Sequence, residues 1–418
     1  MIGTLQLIER NRSGQQTGLP SFCTANEYVL RAILSLVSER PMPVVIEATC
    51  NQVNQDGGYT GMQPTDFMHW LGKLAAQYNV PMDRIIVGGD HLGPNPWRKE
   101  PAAVAMQKAK ELVKLYVEAG FRKIHLDASM PLGGETALSF EQIAERAAEL
   151  CSVADRYAPN PNELIYVIGT EVPIPGGETE EPDALDVTSV PRFHETICTH
   201  RDAFERHGLG HIWPQVVSVV TQPGVDFGHT SVYRFDPIEA LALSDAILAE
   251  EHLSFEAHST DYQPTEALGD LVKSHFFFLK VGPELTFRFR EAVFSLAGIE
   301  KTLNFSEPSH LLDIIDAQME SNDGYWREYY RGSTQEQALL KNYSYSDRIR
   351  YYWTDTKVTK ALEKLLENLR SIVLTETLVS QFFSGFEFGE IPNTPDELIE
   401  RHVQKCVRRY YAASGFKF

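Results

Sequence analysis

The sequence predicts an α/β chain folded as a (β/α)8 TIM barrel with a helical C-terminal extension. Eight short apolar or β-branched runs recur along the first 300 residues. Each is closed by small or polar residues and followed by a helical pattern, which is the alternation of a parallel sheet. No GxGxxG joins the first strand to the first helix, as it commonly would in the rival arrangement, a doubly wound open sheet. The stretch RIIVGGDHLGPNPW, residues 84–97, organises the rest: a buried strand narrows to two glycines and then sets Asp90 and His91 side by side at its end. A barrel keeps its chemistry at the C-terminal ends of its strands, where this pair falls.

The eight runs are residues 19–23, 44–49, 85–88, 123–126, 164–169, 216–220, 253–257 and 276–281. Between them the pattern turns helical. In residues 101–119, Met106, Ala109, Val113, Tyr116 and Val117 recur at helical spacing, with Pro101 suited to the first turn and Gly120 to the exit. Ile143, Ala147, Leu150 and Ala154 repeat the pattern, as do Leu241, Ala242, Ile247 and Leu248 after Asp236 and Pro237. An eighth helix is expected from residue 284 to about 300. The chain therefore divides into a barrel, residues 1–300, and a mostly helical extension, residues 301–418, rich in tyrosine (YWREYYRG, YSYSDRIRYYW). That extension is expected to fold over the barrel or to build an oligomer interface, and a homo-oligomer is expected.

Composition bounds the function. At 418 residues, 43% hydrophobic and 23% charged, the chain can bury a large core. It has no apolar run long enough for a membrane span, and its start, MIGTLQLIERNRSG, lacks the apolar core of a signal peptide, so a cytoplasmic location is expected. Five scattered cysteines without CxxC spacing imply neither a disulfide framework nor a thiolate zinc site. A net charge of −19 argues against a nucleic-acid surface, while leaving room for a local phosphate site.

Polar groups follow seven of the eight runs. Glu47, Asn51 and Gln52 close the second, Asp90 and His91 the third; His125 and Asp127 come with the fourth, and Glu171 with the fifth. The sixth leads to Gln222 and His229, the seventh to Glu256, His258 and Asp261, the eighth to Lys280. Imidazoles from different strands suit a borderline divalent cation such as Zn²⁺, Ni²⁺ or Mn²⁺ with a position open to substrate. His91 and His258 are the leading candidate ligands, with His229 or Gln222 completing the set, while His125, one residue before the end of its strand, reads more readily as a bonded barrel histidine. Asp90 is the candidate acid/base or, alternatively, a support for a ligand. Glu171 leads into the Pro/Gly stretch 172–178, suited to covering a substrate; it could move a proton opposite Asp90 or anchor that loop, and Asp127 carries the same two readings. Substrate contacts are expected from Asn51, Gln52 and Lys280, and from Gly282 at the start of the eighth helix, whose free amides would attract a phosphate. The glycine turn 54–61 offers a second such place.

The motifs IEATCNQVNQDGGYTGM, GGDHLGPNPW, KIHLDASM, YVIGTEVPIPGGE, QPGVDF, EAHSTDYQ, LKVGPELTF and YSYSDRIRYYW together resemble the GatZ/KbaZ family, the non-catalytic subunit of D-tagatose-1,6-bisphosphate aldolase. The resemblance implies a barrel related to the metal-dependent class II aldolases, with the catalytic acid/base and a metal ligand falling on Asp90 and His91. It further implies a lid glutamate at Glu171 and a late-strand metal histidine at His258. The class II pattern has a histidine after the sixth strand where this chain has Gln222, with His229 seven residues on. Two functions follow from the resemblance: a metal-dependent ketose 4-epimerase interconverting tagatose and fructose forms, or a stabilising subunit of a class II aldolase partner. A ketohexose or ketohexose phosphate is the expected ligand.

Overall fold

The computed structural model describes residues 3–172 and 185–417. Eight parallel strands close on themselves: β1 (Leu19–Cys23), β2 (Val44–Thr49), β3 (Ile85–Leu92), β4 (Lys123–Leu126), β5 (Ile165–Ile168), β6 (Val216–Val220), β7 (Ser254–Ala257) and β8 (Phe276–Val281). Around the barrel the order is β1-β8-β7-β6-β5-β4-β3-β2. The fold is a TIM barrel. Nearly every strand residue is buried, because helices cover the outside and side chains fill the inside. Those helices are α2 (Glu27–Ser38), α3 (Pro64–Gln77), α4 (Ala102–Glu118), α5 (Phe140–Tyr157), α6 (Val190–Arg206), α7 (Leu241–Ile247), α8 (Thr265–Lys273) and α9 (Pro283–Leu303). None of the described helices is long and apolar enough to cross a membrane.

Helix α1 (Thr4–Arg12) closes the N-terminal end of the barrel: its Leu7 and Ile8 share one dry cluster with Leu19, Val45 and Phe278. At the other end two local features prepare the site. Gly88 is required by close approach, since a Cβ there would stand 2.9 Å from Glu47 Cγ, and the missing side chain lets Glu47 enter the interior. Then β3 slips register against β4 between Gly89 and Leu92, and His91 takes a left-handed φ of 51°. A non-glycine residue held there costs about 1 kcal/mol or more, and the bulge re-aims its side chain over the barrel.

After α9 come α10 (Leu311–Ser321), α11 (Thr334–Tyr343), α12 (Thr356–Arg370), α13 (Glu376–Phe382) and α14 (Pro395–Ala413). Helix α14 lies against α2, α8 and α9. Its Tyr410 hydroxyl donates to the Thr260 carbonyl (2.7 Å) and its Tyr411 hydroxyl to that of Pro43 (3.0 Å). The connection between α11 and α12 returns to the barrel mouth, tied by Arg290 to Asp347 (3.0 Å) and by the Tyr262 hydroxyl to the Tyr345 carbonyl (2.6 Å). Trp326, Tyr330 and Tyr352 are buried in this layer, whereas Tyr343 is exposed.

Candidate active site

A cavity of about 190 Å³ opens above the strand ends, walled by β-strand residues on one side and by the α11–α12 connection on the other. Its floor is ionic. Lys123 is fully buried and bridges Glu47 (2.5 Å) and Glu256 (2.6 Å), with its ammonium 4.8 Å above the Phe278 ring. Lys280 is held by Glu47, by Asp90 (2.7 Å) and more distantly by Glu256 (3.4 Å). Burial alone would favour the neutral amine, but the surrounding carboxylates outweigh it and keep Lys280 firmly protonated. Of two metal-like groups among the described residues, Cys23 with Glu47 and Asp90 is therefore already served: the Lys280 ammonium is its cation.

The other group is Asp90, His125, Glu256 and His258, whose ligand atoms lie within 4.8 Å of one another. His91 stands beside them. The rings of His91, His125 and His258 form a triangle with all three centroid separations at 5.0 Å. Three imidazoles bound tetrahedrally at a metal–nitrogen distance of about 2.1 Å would place their centroids about 5 Å apart. Each ring also leans on its own carboxylate: His91 Nδ1 on Asp127 (2.7 Å), His125 Nδ1 on Asp90 (2.9 Å) and His258 Nε2 on Glu256 (2.9 Å). The His91 amide lies 3.1 Å from the same His125 nitrogen, but the charged oxygen is the stronger partner and fixes the proton there. This is the arrangement that orients imidazoles toward a metal.

Three further observations fit a divalent cation. His125 Nε2 is buried with no hydrogen-bond partner, an arrangement that a ligated metal would explain. Four carboxylates (Glu47, Asp90, Asp127, Glu256) face two ammonium groups (Lys123, Lys280), an excess of negative charge that suits a bound cation. His258 is neutral, since burial pushes its pKa down to about 3. His91 differs: burial works against charging it, yet Asp90 and the hydrogen bond to Asp127 outweigh burial and favour positive charge at that ring. Asp90 is held well below the usual carboxylate range, burial being overcome by His91, Lys280 and the hydrogen bond from His125.

The expected site residues divide clearly. Asp90, His91, His229, His258, Lys280, Asn51, Gln52 and Gly282 all line the cavity. Asp127 is bonded to His91 and Ser129 and does not line the cavity. Gln222 requires correction: its Oε1 accepts from the amides of Gly224 and Val225, anchoring the loop after β6, and it does not line the cavity. His229 lies outside the group of converging ligand atoms. The hairpin Asp226–Phe227/Val232–Tyr233 carries it to the extension, where Nε2 is 3.0 Å from the Tyr329 carbonyl and Nδ1 lies near the hydroxyls of Ser344 and Ser346. Glu171 lies outside the cavity wall, with its two oxygens accepting from Thr188 and Arg192 at 2.6 Å each. The covering stretch 172–178 falls outside the described residues apart from Val172. At Gly282 the expected anion place is filled by the chain itself, because Asp261 Oδ1 accepts from the amides of Gly282 (3.0 Å) and Glu284 (2.8 Å). His125, Lys123, Glu47 and Glu256 complete the cluster from within the barrel. Their signal is alternation: Val45/Glu47, Lys123/His125 and Phe278/Lys280 put a charged or titratable group two residues along from a buried one on the same face.

Fold and site together define a (β/α)8 barrel with a histidine–carboxylate cluster at its mouth. The family model described as D-tagatose-1,6-bisphosphate aldolase subunit GatZ/KbaZ-like matches residues 4–415, and the chain belongs to that family. A probable tagatose 6-phosphate kinase from Sinorhizobium meliloti 1021 is 42% identical, with a TM-score of 0.87 over 95% of this chain and 100% of that one. The YdjI aldolase from Escherichia coli K12 (12% identity, TM-score 0.43, 86% of this chain and 98% of that one) is also similar. So is the fructose-bisphosphate aldolase from Campylobacter jejuni (14%, TM-score 0.44, 88% and 93%).

Proposed function

We propose that the chain is a metal-dependent ketose or ketose-phosphate 4-epimerase that interconverts tagatose and fructose forms. The observation that carries this reading is the triangle of carboxylate-backed imidazoles beside Asp90 in one cavity. The C4 hydrogen of a ketohexose is not α to the C2 carbonyl, so its direct removal would leave an unstabilised carbanion. Cleavage of the C3–C4 bond, rotation of the aldehyde and re-addition to its other face avoid that difficulty. A divalent ion of the Zn, Ni or Mn class held by His91, His125 and His258 would polarise the C2 carbonyl. Asp90 accepts the 4-hydroxyl proton. Its Oδ1 is engaged by His125 and Lys280, and its Oδ2 meets the Cys23 thiol at 3.4 Å and His91 Nε2 at 3.8 Å. Return of the proton after rotation needs a second acid. Asp261 lines the same cavity, and burial raises its pKa to about 7, near the working pH of a general acid.

A second reading, a non-catalytic subunit that stabilises an aldolase partner, is favoured by the family's description as an aldolase subunit. The kinase name of the S. meliloti relative has no counterpart in a GxxxxGK[ST] loop, which the sequence lacks. NMR of the metal-loaded protein with D-tagatose, D-fructose and their 6-phosphate and 1,6-bisphosphate forms separates these readings. Conversion between C4 epimers, abolished by chelation and by Asp90→Asn with metal retained, is the expected result. Triose products would make it an aldolase, and unchanged sugars under every metal would favour the accessory subunit.

A further inference from the structure

Two cationic side chains other than imidazoles stand in the cavity wall, Lys280 and Arg350. Lys280 is enclosed by three carboxylates and has no charge to offer a ligand. Arg350 differs. It comes from the α11–α12 connection, and no carboxylate lies within salt-bridge reach of it among the described residues. Its Nη1 donates to the carbonyls of Ser346 and Asp347, and its Nη2 to the Tyr351 hydroxyl at 2.9 Å. The Asp347 carboxylate is occupied elsewhere, accepting from Arg290 (3.0 Å) and Thr286 (2.6 Å). The Tyr59 hydroxyl is hydrogen-bonded with the guanidinium and with Gln52, and the Tyr59 and Tyr351 rings meet edge to face at 4.8 Å.

The other candidate anion places are closed by the chain's own groups. Asp261 fills the amides at the start of α9. In the turn 54–61 the amides of Asp56 and Gly58 donate to Asn54 Oδ1, Gly57 to the Asn54 carbonyl and Tyr59 to that of Asn51. That turn serves the cavity through Tyr59, whose side chain it delivers to Arg350. We propose that Arg350, with the hydroxyls of Tyr59 and Tyr351, is the subsite for the phosphate of a ketohexose monophosphate. The proposal rests on the sugar-binding reading of this cavity. A phosphate dianion presents three acceptor oxygens, matching one guanidinium and two phenol donors. Only one such cation is available, so the wall receives one phosphate; the sequence of residues 173–184 adds no lysine or arginine. The extension thereby becomes the element that selects the substrate.

Isothermal titration of the metal-loaded protein with D-fructose, D-fructose 6-phosphate and D-fructose 1,6-bisphosphate tests this without requiring turnover. The 6-phosphate is expected to bind roughly 10- to 100-fold more tightly than D-fructose, and the bisphosphate no more tightly than the 6-phosphate. Arg350→Met should abolish the preference while leaving D-fructose affinity within about twofold, a span that conservative loss of a remote donor permits. Arg350→Lys should retain part of it. Should Arg350→Met fail to fold, Arg350→Lys and Tyr351→Phe carry the test, each expected to lower 6-phosphate affinity several-fold. A phosphate preference that survives in these variants, or none in the unaltered protein, overturns the subsite. Equal loss of D-fructose binding in a folded variant overturns it too. Phosphate-selective binding without any epimer conversion would leave the subsite standing and remove the epimerase reading; conversion without phosphate preference would do the reverse.

Discussion

The two ends of the barrel interior use the same strands for opposite purposes. At the N-terminal end Leu19, Val45 and Phe278 pack against Leu7 and Ile8 of α1 in a dry layer. Two residues further along the same faces, Val45 gives way to Glu47 and Phe278 to Lys280, and the layer becomes a closed set of ion pairs. The boundary is sharp: the Lys123 ammonium rests directly on the Phe278 ring. The apolar layer needs only volume and shape, whereas the ionic layer is stable only while every charge keeps its partner.

Breaking the ionic layer should therefore cost more than trimming the dry one. Lys123→Met leaves Glu47 and Glu256 facing each other without their shared cation, and urea unfolding should show a loss of about 3–5 kcal/mol. Asp261 sharpens the contrast through pH. Burial raises its pKa to about 7 from an ordinary value of 3.8, so the folded chain retains a proton that the unfolded chain releases between those values. Stability then falls as pH rises from about 4 to about 7 and levels off above, by at most about 4 kcal/mol. Asp261→Asn can still accept the helix amides but has no proton to lose, so comparing its melting temperature with the unaltered protein's from pH 4.5 to 8 should show that slope removed. In the dry layer Leu7→Ala should cost about 2 kcal/mol, at the low end for a buried leucine near a chain end. It should leave sugar conversion unchanged, because α1 closes the opposite end of the barrel.

Much of this was legible in the sequence for a physical reason. Strands buried on both faces read as continuous apolar runs, so residues 44–49, 123–126, 216–220 and 276–281 coincide with β2, β4, β6 and β8. Asp90 and His91 stood out because two glycines precede them. His125 read as a bonded barrel residue because its meeting with His91 depends on the register slip of β3 against β4, a property of two strands and not of either sequence. The Lys123–Glu47–Glu256 set was hidden for a similar reason, its members lying on three strands far apart in the chain. His229 looked like a sixth-strand ligand by its offset, yet a short hairpin turns it toward Tyr329. Arg350 carried no local signal, since nothing in YSYSDRIRYYW says that the extension returns over the barrel mouth.

If His91, His125 and His258 hold one divalent ion, removing one of these imidazoles releases it. Metal content by mass spectrometry, with calorimetric titration of zinc, nickel and manganese into chelated protein, tests this directly when His125→Ala and His229→Ala are compared with the unaltered chain. One ion per chain is expected for the unaltered protein and for His229→Ala, and none retained by His125→Ala after dialysis. An ion retained by His125→Ala and lost by His229→Ala would contradict this ligand set and move the metal to the loop after β6.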